Sequence, residues 1–301
     1  MRLEATVRSA ALAARCRAGE RLEVQGVFSG AVYFSGKGGA CLMLHDSCRG
    51  SLPFGFAADG LEGHGRGLGA EPGMYAELCA GVLTVPQAGL EIRLRYAPEE
   101  DAASACPSRE EFSMIRSNAM AALERREASL LPYAEFREGL PAGQTPSDPF
   151  AAAGTVGVAL LTEALTAADG ELCEAALMKL LGLGRGLTPS FDDFVCAAVF
   201  TLNYSAKNWG HGAEQAACLS RAVRKLAAGR TGSYSAAYLL AAAEGGDISV
   251  LRRCLQERDE TEHADCIGRL LRVGSSSGTD MLCGLLYALG CLRKTALRMI
   301  Q

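Results

Sequence analysis

The chain has 301 residues, 49% of them hydrophobic and 21% charged, with a net charge of −4. That length supports two domains and a sizeable core. The mildly acidic balance and the scattered basic residues argue against a nucleic-acid partner. No stretch approaches eighteen apolar residues free of charge, so no membrane partner or spanning helix is expected.

In chain order, residues 4–17 read as a helix. Arg8, Arg15 and Arg17 interrupt its apolar positions, so the start does not resemble a secretory leader. Residues 21–97 then read as short strands: "RLEVQGVF", "AVYFS", "ACLMLHD", "YAELCAGVLTV" and "LEIRLRYA". They are rich in β-branched and aromatic residues and partly alternating. Glycine-rich turns separate them, "GKGG" after Ser35 and a longer run before Met74, which suggests a small barrel or sandwich. His45, at a strand end, and His64, in a glycine loop, read as surface residues. Cys41, His45 and Cys48 could be taken for zinc ligands, but "CLMLHDSC" reads better as a strand running into a turn. The twelve cysteines form no CxxC pair, and Cys173, Cys196, Cys218, Cys283 and Cys291 fall in apolar helical patterns. Reduced cysteines in a cytoplasmic protein, without disulfides or structural zinc, are expected.

From residue 108 the texture becomes helical. Ser108 with Glu110 and Glu111 marks a helix start. "EGLPAGQTPSDPF", Glu138–Phe150, carries three prolines and reads as a linker. Helices are expected over about 150–167, 170–181, 189–204, 213–228, 233–244, 248–257, 260–272 and 279–298. Trp209 reads as a loop anchor. The fold class is therefore α+β: a mostly-β domain over 1–105, then a larger all-α domain over 106–301.

Three helix starts share a grammar. "GLGRGLTPSFDDF" (Gly182–Phe194) sets three glycines and Arg185 before a proline, a serine and two aspartates. There Pro189 suits the first helical position and Thr188 the N-cap. "GRTGSYSAAYLLAAA" begins at Gly229, and "RVGSSSGTDMLCGLLYAL" begins at Arg272. Each places hydroxyls, glycine and an arginine (Arg185, Arg230 or Arg272) before an apolar helix. Helix N-termini attract anions, and arginine grips carboxylate or phosphate. Any one such turn is commonly only a cap, but three in one helical region point to a shared anion site. No nucleophile elbow or Walker loop is present.

"GLGRGLTPSFDDF", "RTGSYSA" and "GSSSGTDMLCG" resemble the signature segments of a domain-of-unknown-function family. That family includes AllH, a subunit of oxamate carbamoyltransferase in anaerobic allantoin breakdown, a branch of purine catabolism. The resemblance covers most of residues 20–295. It implies carbamoyl transfer between oxamate and carbamoyl phosphate, carried out with companion subunits. One position departs from the family's Thr-Pro-Ser-Gly-Asp-Asp pattern: Phe191 stands where the glycine would be. In this reading Arg185, Arg230 and the backbone around Gly184, Gly186 and Gly278 hold a small anion. The hydroxyls of Thr188, Ser190, Thr231, Ser275, Ser276 and Ser277 orient it. Asp192, Asp193 and Asp280 hold a divalent cation such as Mg, or orient an amide nitrogen. The rival reading is a non-catalytic scaffold or ligand-sensing subunit whose turns are only caps.

Overall fold

The computed structural model describes residues 1–9, 12–13, 16, 18–36, 41–52, 54–61, 63–97, 104–135 and 146–299. The chain divides into two compact units, Met1–Ala102 with Asp247–Ser249, and Ala103–Gly246 with Val250–Gln301.

The first unit is built on eight strands: β1 (Arg2–Val7), β2 (Glu20–Phe28), β3 (Ala31–Ser35), β4 (Cys41–Asp46), β5 (Gly55–Ala58), β6 (Tyr75–Cys79), β7 (Val82–Val85) and β8 (Leu90–Tyr96). They close into a barrel in the order β1-β5-β4-β3-β2-β6-β7-β8, which decides between barrel and sandwich and leaves no open edge. Closure rests on β1, which pairs in parallel with β8 from Arg2↔Glu91 to Val7↔Tyr96 and antiparallel with β5. Alternate residues fill the interior, among them Leu22, Val24, Phe34, Leu42, Leu44, Phe56, Leu78, Leu83 and Ile92. Asp46 ends β4, and its two carboxylate oxygens accept from the backbone of Cys48 at 2.8 Å and of Leu61 at 2.6 Å.

Two expectations change here. Residues 2–7 form a strand rather than the start of a helix. Leu12, Ala13, Cys16 and Ala18 are helical, and positions 10, 11, 14, 15 and 17 lie outside the described residues. The pairing that makes β1 a strand lies with β8, nearly ninety residues along, and no local pattern reveals it. The "GKGG" turn falls largely outside the described residues. His45 is fully buried, not on the surface. Its ring packs on Gly55, where a Cβ would stand 2.5 Å from Nε2, and Nδ1 lies 2.9 Å from the Asp46 carbonyl oxygen. Cys41 and His45 are four residues apart along one strand, roughly 13 Å, too far to share a zinc ion.

The second unit contains nine helices among the described residues: α1 (Arg109–Arg125), α2 (Pro149–Ala167), α3 (Gly170–Leu180), α4 (Ser190–Trp209), α5 (Ala213–Arg230), α6 (Ser233–Ala243), α7 (Ser249–Gln256), of which Ser249 groups with the barrel, α8 (Glu260–Leu270) and α9 (Ser277–Met299). No strand occurs among its described residues. Side chains set the helix starts. Ser108 and Glu111 form a capping box ahead of α1, while Asp148, Asp169 and Asp259 cap α2, α3 and α8. Of the expected linker, residues 138–145 lie outside the described residues. Trp209 ends α4, its ring edge-on to Tyr204.

α4 is the central helix, buried without a break from Phe191 to Leu202. α9 runs against it so closely that a Cβ on Gly284 would stand 2.0 Å from the Phe194 carbonyl oxygen. α2 is long and apolar enough to cross a membrane by length and composition. Here it serves as a packing face: Gly154 receives the Phe191 ring and Gly157 the Leu180 side chain. The α4–α9 contact gives a stability test. Gly284→Ala should cost about 1–3 kcal/mol in urea unfolding, because backbone rather than a movable side chain is in the way. Gly229→Ala, with open space around that Cβ on α5, should cost nothing.

Candidate functional site

The chain leaving α3 turns back sharply to begin α4. Gly182 and Gly184 have φ of +82° and +137°, a region that side chains resist. A Cβ on Gly184 would lie 2.2 Å from the Ser190 backbone nitrogen. The fold-back lets the Phe191 N–H donate to the Leu183 carbonyl at 3.1 Å. Pro189, not Thr188, occupies the cap position of α4, and it makes no side-chain cap. The Thr188 hydroxyl instead lies 2.9 Å from that of Ser277, at the start of α9. Likewise Thr231 closes α5, and α9 starts at Ser277 rather than Thr279.

Asp192 ties the first turn to the second. Its Oδ1 accepts from the Gly182 backbone N–H at 2.8 Å. Its Oδ2 accepts from the Thr231 hydroxyl and, at 2.7 Å, from Ser235. A Cβ on Gly182 would stand 2.7 Å from the Arg230 carbonyl oxygen, so these two turns touch directly. The Thr188–Ser277 contact brings in the third. The three turns therefore meet.

Asp193 and Asp280 lie between α4 and α9 in matching positions. Each helix begins with a serine (Ser190, Ser277) and has an aspartate at its fourth position. The hydroxyls cross over: one of the paired Thr188 and Ser277 hydroxyls donates to the other and the second of them to Asp193, while Ser190 and Ser276 donate to Asp280. Both carboxylates are 1% exposed, and Oδ2 of each is buried without a hydrogen-bond partner. Burial pushes all three aspartates above the usual carboxylate range. For Asp192 the bonds from Thr231, Gly182 and Ser235 oppose the shift. For Asp193 the shift is large, with the Asp280 charge adding to it. Asp280 is pushed up to about 6, against the pull of Ser190 and Ser276.

The remaining expected residues divide. Arg185 is exposed, with its guanidinium 5.4 Å over the Phe150 ring. Arg230 is also exposed, but it donates to the Met178 carbonyl at 2.6 Å and so holds the end of α3. Ser275 and Ser276 are exposed, Gly186 has no neighbour at its Cβ position, and Gly278 packs on the Leu270 carbonyl. Both oxygens of Asp192 accept hydrogen bonds, and no group of three His, Cys, Asp or Glu suited to a metal occurs among the described residues. Ser235 was not anticipated. Its only sequence signal is its place one helical turn after Thr231.

Residues 180–289 match the model of a family described as oxamate carbamoyltransferase subunit AllH. No curated protein and no solved structure matches the chain.

The Asp280 carboxyl gives a pH test. An unfolded aspartate ionises near 3.9, while the folded one keeps its proton up to about 6. Between these values the folded chain binds more protons than the unfolded chain. This group's contribution to stability therefore falls as pH rises, and is lowest above about 6. Asp280→Asn should gain on the wild type by about 2 kcal/mol between pH 4 and pH 7, most of the full shift at about 1.4 kcal/mol per pKa unit. Urea unfolding at both pH values checks it; a constant difference would contradict it.

Proposed function

We propose that the chain is a carbamoyltransferase-associated subunit that holds a small carboxylate or carbamoyl phosphate-like anion where its three helix starts meet. The observation that carries this reading is the hydrogen-bonded convergence of the three turns, all of them inside the segment that matches the AllH family. One helix N-terminus offers an anion only about 0.3–1 kcal/mol at an exposed position. Several together, with an arginine worth about 1.5–3 kcal/mol, give useful affinity. Arg185, exposed in the first turn, is assigned to this, and backbone N–H groups of that turn with the Ser275–Ser277 hydroxyls supply further donors. Carbamoyl transfer develops charge on oxygen, which such donors stabilise. No residue is assigned as a general base, and companion subunits complete the reaction. In this reading the chain is cytoplasmic, with domains over 1–105 and 106–301, the second carrying the site.

A second reading, a scaffold or ligand-sensing subunit, draws on the way Asp192 and Arg230 spend their bonds within the protein. Binding separates the two. Isothermal titration with oxamate, carbamoyl phosphate and inorganic phosphate should show saturable binding of at least one. Arg185→Ala should weaken it about 10- to 100-fold without lowering the unfolding midpoint. Capture of companion subunits by a chain that binds none of the three would favour the scaffold.

A further inference from the structure

We propose that Oδ2 of Asp193 and Oδ2 of Asp280 accept the two N–H bonds of a primary amide or carbamoyl –NH2 group. This rests on the anion-site reading above for the other end of the ligand.

The paired Thr188 and Ser277 hydroxyls have one hydrogen left for Asp193, and Ser190 and Ser276 serve Asp280. Oδ2 of each aspartate is buried and has no hydrogen-bond partner. When both groups are ionised, two carboxylate oxygens are left buried and without donors, one from each of two adjoining helix starts. An unpaired buried acceptor is costly and calls for a donor. Phosphate or oxalate would bring only acceptors and like charge. A hydroxyl brings one hydrogen. A primary amide brings two, on one planar nitrogen and without added charge, and so suits a pair of acceptors held on opposite helices. Its carbonyl and any attached carboxylate are then left for the turn N–H groups and Arg185. Both oxygens are sealed from solvent, so the ligand enters by parting the turns that the Thr188–Ser277 hydrogen bond joins.

The test compares three ligands on the full chain by equilibrium binding: oxamate, oxalate, which keeps the charge but lacks the –NH2, and N,N-dimethyloxamate, which keeps the amide but lacks its hydrogens. A site built around N–H donors should prefer oxamate over both by at least about 10-fold. Asp193→Asn and Asp280→Asn should each remove that preference, weakening oxamate binding and relieving the repulsion of oxalate. The wild-type series stands even if a variant fails to fold. Equal affinity for the three, a preference surviving in both variants, or oxamate binding that requires added Mg2+ would overturn the assignment while leaving the anion site in place. Failure of oxamate, oxalate and phosphate alike would overturn the anion site as well.

Discussion

The carboxylate of Asp192 accepts hydrogen bonds from three separate places: the backbone of Gly182 before α4, Thr231 after α5 and Ser235 in α6. The arrangement of the turns depends on this. A buried carboxylate costs least when its lone pairs are met, and hydrogen bonds to a charged group are the stronger kind. Gly182 can approach because it has no Cβ to strike the Arg230 carbonyl. Arg230, bound to Met178, fastens α3 to the end of α5 from the other side. The first two turns are thus held by bonds with little freedom to slide, and the third joins them through Thr188 and Ser277.

Asp193 and Asp280 are different in kind. Where this chain needs an aspartate to start a helix, it places it at the cap itself. Asp148, Asp169 and Asp259 each accept from N–H groups of the first turn. Asp193 and Asp280 stand four residues inside their helices, fully buried, each with an unmet oxygen. Helix dipoles favour acids near an N-terminus, but only by fractions of a kcal/mol at the surface. Burial works the other way, and here it dominates, as the raised carboxyls show. Capping alone does not account for two acids kept at such cost. Strain of this sort collects where a protein binds or reacts.

Much of this was legible in the sequence. The helices follow from alanine- and leucine-rich runs between good caps, and eight of them begin and end close to where the pattern places them. Apolar and partly alternating runs reveal β2, β3, β4 and β8, and one such run, Tyr75–Val85, divides into β6 and β7. β1 and β5 escape because their strand character is made by distant partners, and β5 is a four-residue stretch opening with glycine. At the site, the grammar of the three turns was readable, and so was their meeting. The division of labour was not. Asp192 and Asp193 are neighbours of the same type, yet a rotation of about 100° around the helix sends one toward Thr231 and the other toward Ser277. Arg185 and Arg230 likewise look equivalent until the Met178 carbonyl claims one of them.

The same rotation explains Phe191, the residue that departs from the glycine of the resembling family. Phe191 lies one position before Asp192 on α4 and faces away from the turns. It is fully buried, with its ring 5.9 Å from that of Tyr133 and 6.1 Å from that of Phe194. The space it fills is opened by Gly154 on α2, where even a single Cβ would stand 2.1 Å from the ring. Bulk on one helix is matched by its absence on the other, as close packing requires. The hydrogen bonds that join the turns run through residues 188, 190, 192 and 193, and none of them uses the side chain at 191. The substitution therefore belongs to the packing of α2 against α4, and the polar face shared by the three helix starts is built without it.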